Sequence, residues 1–178
     1  MPEPAIIMSA TAVQHALARI AHEIVERNNH QGDGVVLVGI QRGGVFLARR
    51  LAALLEGLWG VAVPVGSMDI SMYRDDLATK AAPPMHPTSL PFPVEAKTVI
   101  LVDDVLFSGR TIRAALDALN DFGRPRCVQL AVLVDRGHRE LPIKADFVGK
   151  NLPTARKETI TVHFREAGEE DSVTLEKP

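Results

Sequence analysis

Apolar positions recur along this chain with two different periods. Over residues 9–28, Val13, Leu17, Ile20 and Ile24 share one side at helical spacing, and His15, Arg19, His22 and Glu26 share the other. That spacing predicts an amphipathic helix. Residues 35–40, VVLVGI, form a short, almost wholly β-branched apolar run, the pattern of a strand covered on both faces. The same signature returns at 98–105 and 128–134. A further strand is predicted over 61–70, where Pro64 points to a sheet edge or an irregularity. Helices are expected from Val45 to about Glu56 and from Thr111 to about Phe122, the second capped by Gly123. Two shorter strands are predicted near 145–149 and 159–164.

Strand and helix therefore alternate through the body of the chain. This order predicts an α/β fold with a mostly parallel central sheet flanked by helices. All 178 residues are expected to form a single domain. Two stretches break the alternation. Pro83, Pro84, Pro87, Pro91 and Pro93 crowd into residues 71–97, which read as a long flexible loop of the kind that serves as a lid. The last dozen residues are acidic, and 165–178 are expected to be a frayed tail.

Composition narrows the class. The chain is 46% hydrophobic and 24% charged, with a formal net charge of −2. No apolar stretch is long enough to span a membrane. The overall charge gives no general attraction to nucleic acid, so DNA binding is not expected and any RNA contact must use a local basic patch. The lone Cys127 excludes an intrachain disulfide, points to a reducing cytoplasmic setting, and reads as an inert core thiol.

Chemistry concentrates where strands end. In an open parallel sheet, ligands bind outside the carboxyl ends of the strands. Three marked segments, 41–44, 103–111 and 135–139, each follow a predicted strand. The most informative is Val99-Ile100-Leu101-Val102-Asp103-Asp104-Val105-Leu106-Phe107-Ser108-Gly109-Arg110-Thr111. It joins a buried strand to an acid pair, a small hydroxylic loop and a helix start. Backbone amides and a helix N-terminus suit a phosphate, and the carboxylates suit sugar hydroxyls. Gln41-Arg42-Gly43-Gly44 places two glycines at a strand-to-helix junction, where backbone amides can approach an anion and positive φ is allowed. Arg74, in Asp69-Ile-Ser-Met-Tyr-Arg-Asp-Asp-Leu77, is placed to close over an anionic leaving group.

The 99–111 segment resembles the phosphoribosyl pyrophosphate (PRPP) motif of type I phosphoribosyltransferases. That resemblance implies their fold, with a flexible loop and a small hood beside the parallel sheet. It makes 99–111 the PRPP site and 41–44 the pyrophosphate loop. The resemblance sharpens at 69–77, at 18–28 and over Gln129–Asn151, above all in Asp135-Arg-Gly-His-Arg-Glu-Leu-Pro142. There the chain is similar to the family of pyrimidine-operon regulators that are also uracil phosphoribosyltransferases. The similarity covers nearly the whole chain and fades in 78–96 and in the acidic tail.

This family resemblance implies transfer of phosphoribosyl from PRPP to uracil, giving UMP and pyrophosphate with Mg²⁺ held mainly by PRPP's own oxygens. It also implies transcription attenuation through leader mRNA binding when UMP or UTP is present. Asp103, Asp104, Arg74 and Arg136 are the implied catalytic residues. Arg19, His22, Arg27, His138, Arg139, Lys144 and Lys150 are the implied RNA surface. A homo-oligomer is expected. The alternatives are an enzyme without RNA control and a nucleotide sensor with negligible catalysis. Purine-using relatives carry an aspartate where this chain has Phe107, which favours a pyrimidine acceptor. The chain departs from the family pattern at Ala18, usually threonine, at Lys144, usually arginine, and at Arg42, one place early in its loop.

Overall fold

The computed structural model describes residues 3–29, 32–74 and 86–178. The chain runs through β1 (Ala5–Met8), α1 (Ala10–Arg27), β2 (Val35–Ile40), α2 (Gly43–Trp59), β3 (Val65–Met68), β4 (Thr98–Leu106), α3 (Arg110–Asn120), β5 (Cys127–Asp135), β6 (Phe147–Asn151), β7 (Thr159–His163) and β8 (Ser172–Glu176). Short 3₁₀ turns lie at Ser71–Tyr73 and Arg165–Ala167.

Five strands make the expected parallel sheet, in the order β3-β2-β4-β5-β6. Period-two alternation splits each central strand between two cores. Leu37 of β2, with Ile100 and Val102 of β4, packs beneath α1 and α2, joined by Leu17, Ile20, Leu47 and Leu51. Val36, Val38, Val99 and Leu101 face the opposite side and pack against Ile112, Ala115 and Leu119 of α3. Ser9 caps α1, its hydroxyl accepting from Ala12 N–H at 3.2 Å.

A second sheet, β1-β8-β7, is antiparallel and forms the hood. It corrects the sequence reading at both ends of the chain. Residues 5–8 carry too few positions to show a period, yet they form a strand. The acidic tail is not frayed, because Ser172–Glu176 is the middle strand of this sheet. Val173 and Thr174 are buried there, and the acidic composition around them concealed the strand. Arg50 on α2 ties the preceding turn down, donating to Asp171 at 2.8 and 3.0 Å and to Glu166 at 2.8 Å.

Other boundaries shift for local reasons. Strand β3 is shorter than 61–70, begins after Pro64, and lies at the sheet edge as that proline suggested. Helix α3 ends at Asn120, so Gly123 lies beyond its cap. Cys127 is exposed at the first position of β5 and is not a core thiol. Part of the expected lid, residues 75–85, lies outside the described residues. Within 86–97, Ser89 pairs with Ser67 of β3, and Leu90 and Phe92 pack against the α3-side core. No helix among the described residues is long and apolar enough to cross a membrane.

Candidate active site

The carboxyl end of β4 carries the acid pair. Asp103 is buried and Asp104 half-buried. Asp103 accepts from the Asp104 N–H at 2.9 Å, and Asp104 accepts from the Val105 N–H at 2.8 Å. Burial, reinforced by the neighbouring Asp104, pushes the Asp103 carboxyl well above the usual range. Such a position favours ligands that donate hydrogen bonds or bring positive charge.

Beyond β4 the chain turns through Phe107 and Ser108 to Gly109, whose φ of 93° is the left-handed conformation glycine tolerates. Helix α3 starts at Arg110, one residue before the expected Thr111, and Gly109 supplies no capping side chain. The Arg110 N–H donates to Ser108 Oγ at 3.3 Å, and the positive end of the helix favours an anion here. A cavity of about 260 Å³ opens there, lined by Asp103, residues 105–112, Arg74 and Glu140. Arg110 at its rim is held by Glu140 at 2.8 Å. Glu140, which sequence reasoning passed over inside the 135–142 motif, is drawn below the ordinary carboxylate range, chiefly by that hydrogen bond.

A second cavity, about 210 Å³, lies on the β2–β3 side. Gln41, Arg42, Asp69, Ser71, Arg74 and His86 line it. Arg74 borders both cavities and so spans them. Asp69 and His86 were not singled out from sequence. Asp69 organises the turn, accepting from Ser71 N–H at 2.8 Å and from His86 N–H.

Gly43 and Gly44 are not a linker between strand and helix. They are the first two residues of α2, and neither has positive φ. Their smallness serves close approach instead: a Cβ on Gly44 would lie 2.2 Å from the Val102 carbonyl oxygen, and one on Gly43 would lie 2.5 Å from an Asp104 oxygen. The helix end thus presses against the acid pair. The Gln41–Arg42 peptide between strand and helix is cis.

These two cavities share Arg74, and the first opens on Asp103 at the end of a parallel strand. Residues 8–166 match the family model described as a phosphoribosyl transferase domain. Over 178 residues the chain is 58% identical to a bifunctional protein PyrR of Geobacter sulfurreducens, covering 99% of this chain and 100% of that one. It is 56% identical over 177 residues to a bifunctional protein PyrR of Leifsonia xyli subsp. xyli, covering 97% and 96%. The chain belongs to the phosphoribosyl transferase family, among the bifunctional PyrR proteins. Its fold is similar to a hypoxanthine phosphoribosyl transferase of Trypanosoma cruzi, with a TM-score of 0.76 at 20% identity over 98% of this chain and 91% of that one. A Staphylococcus aureus hypoxanthine phosphoribosyltransferase gives 0.69 at 19%, over 98% and 93%.

Arg136 does not stand where the sequence reading put it. It is buried and is absent from the lining of both cavities. Its guanidinium lies 4.3 Å from the centroid of the Phe107 ring. Its Nε donates to Thr154 Oγ1 at 3.1 Å, and its Nη2 donates to the Ala155 and Glu158 carbonyls at 3.0 and 2.7 Å.

The basic residues divide into two groups. Helix α1 lies along β6: Arg19 donates to the Val148 and Gly149 carbonyls, and Arg27 pairs with Asp146 at 3.3 Å. Exposed Arg19, His22 and Arg27 thus adjoin exposed Lys144 and Lys150. His138 and Arg139 are half-buried at the end of β5. Arg139 donates to the Ile143 carbonyl at 2.8 Å, the Phe107 carbonyl at 2.7 Å and the Asp135 carboxylate. His138 Nε2 donates to the Thr154 carbonyl at 2.6 Å. These two brace the loops of the site.

Proposed function

We propose that this chain transfers phosphoribosyl from PRPP to uracil, yielding UMP and pyrophosphate, and that it regulates pyrimidine-operon transcription by nucleotide-dependent binding of leader mRNA. The observation that carries the first activity is the pair of cavities that share Arg74, the first lined by Asp103 and the start of α3, the second by Arg42. The phosphate end of PRPP fits the first-turn amides of α3. The ribose hydroxyls fit the acid pair, and the pyrophosphate fits the side lined by Arg42, Arg74 and the start of α2.

As the bond at the anomeric carbon breaks, positive charge builds on the ribose. Asp103 and Asp104 hold the hydroxyls and stabilise that charge. Arg74 lies where it can follow the departing pyrophosphate and keep water from the activated sugar. The acid pair also fits Mg²⁺, because a cation bound nearby relieves the burial and repulsion that raise Asp103. When bound with PRPP, Mg²⁺ would neutralise the diphosphate, held mainly by the substrate's own oxygens with Asp103 and Asp104 beside it.

Support for the regulatory half is the 58% identity to a bifunctional protein PyrR and the basic strip formed by α1 and the β6 edge. Cationic strips of this kind bind folded RNA through charge and shape. The strip combines Arg19, His22, Arg27, Lys144 and Lys150; His138 and Arg139 stand apart from it and brace the loops of the site.

Pyrophosphate release from PRPP, with uracil and then hypoxanthine as acceptor, tests the enzyme. Turnover with uracil alone is expected, and equal turnover with hypoxanthine would overturn the pyrimidine assignment. Filter binding of the cognate leader RNA, with and without UMP, tests the regulator.

A further inference from the structure

Displacement at a sugar carbon brings the entering base from the face opposite the leaving group. With pyrophosphate on the β2–β3 side, the acceptor must approach from the β5 side. Phe107 is the aromatic side chain lining the sugar-phosphate cavity there. It is half-buried and gripped from two directions. Arg136 covers its face at 4.3 Å, and the His138 ring meets it edge-on with centroids 5.8 Å apart.

Both gripping residues also hold the segment that follows β6. Arg136 bonds Thr154, Ala155 and Glu158, while His138 bonds the Thr154 carbonyl. The Arg136 backbone N–H donates in turn to the Leu106 carbonyl at 3.0 Å, next to Phe107. The phosphate loop, the end of β5 and the 154–158 segment therefore meet at one guanidinium.

We propose that Arg136 is a positioning residue that fixes the Phe107 ring as a wall of the uracil site and locks the 154–158 segment to the phosphate loop. The proposal rests on the uracil-transfer reading. Arg136 reaches neither cavity, so it acts on the base through Phe107. Only a planar fork does both jobs. One face stacks on the ring, and the edge nitrogens reach a hydroxyl and two carbonyls. Lysine in its place would keep the charge and lose the stack and the fork.

Steady-state kinetics of the full chain test this, with both KM values measured for Arg136→Met, Arg136→Lys, Phe107→Leu, Phe107→Tyr and the Arg136→Met/Phe107→Leu double variant. Arg136→Met and Arg136→Lys should each raise the uracil KM by about three- to tenfold. The PRPP KM should stay within twofold. Phe107→Leu should do the same, Phe107→Tyr, which keeps the ring, should raise the uracil KM less than Phe107→Leu does, and the double variant should be no worse than either single change. Thermal melts accompany each variant. If Arg136→Met does not fold, Arg136→Lys and the Phe107 pair carry the test. The proposal is overturned by an unchanged uracil KM, by equal rises in both KM values, or by additive effects in the double variant. Absence of uracil turnover in the parent chain would remove the functional reading and this proposal together, whereas turnover with any of those three results removes this proposal alone.

Discussion

Asp103 shows how a single side chain can be placed for binding at the expense of stability. Its carboxyl is buried at the end of β4, raised well above its ordinary range by burial and by Asp104. A charge kept in such a place costs stability and is retained for function. Asp103→Asn should therefore leave the folded protein at least as stable at pH 8, read as an unchanged or higher urea midpoint. It should lower kcat/KM by about a hundredfold or more, the scale of losing a preorganised electrostatic partner. Gly44 makes the opposite case. Gly44→Ala forces a methyl against the Val102 carbonyl oxygen, and a loss of about 1–3 kcal/mol in urea unfolding is expected from overpacking. The sequence showed the glycines and the acids, because strand, acids, loop and helix follow one another without interruption. It did not show why the glycines are needed, since the crowding comes from β4, 58 residues away (102 − 44). Arg136 was named from the sequence, but its contacts were not legible for the same reason: its partners at 154–158 belong to a loop with no periodicity.

At the scale of elements, the parallel sheet was legible because its strands are continuous apolar runs, whereas the hood was legible only at β7, which falls within the strand predicted near 159–164. Strand β1 is too short to show a period, and β8 lies in a tail whose acidic composition concealed it. What holds the hood is Arg50, with Asp171 and Glu166 around it. The Glu166 carboxyl is held below its usual range by its hydrogen bond with Arg50, against opposing burial. A carboxyl with a depressed folded value adds stability above its unfolded pKa, near about 4.3 for glutamate, and loses it as pH falls through the folded value. Arg50→Met should cost about 3–5 kcal/mol near neutrality, because it strands the buried Asp171 charge. The deficit should shrink in acid, as Asp171 and Glu166 take up protons in the variant and the stranded charge is lost. Urea unfolding of both proteins between pH 3 and 8 checks the sign. A deficit that grows in acid would contradict it.

The whole molecule carries a net charge of −2 yet concentrates cations along α1 and the β6 edge. Arg19 and Arg27 already brace β6, so their removal would mix folding with binding. Lys144 and Lys150 are exposed and give a cleaner probe. Lys144→Ala with Lys150→Ala should weaken leader RNA binding and flatten the salt dependence by about 0.7 per lost contact, the single-strand value. Uracil turnover should be unchanged. Equal RNA affinity and an unaltered slope would place the RNA elsewhere on the surface.

The pairing of Ala5 with Leu175 also governs when the molecule can be finished. Strand β1 is made before the parallel sheet, and its partner β8 only after it. A nascent chain can lay down the parallel sheet while its first strand waits unpaired, so the hood closes only after residues 172–176 emerge.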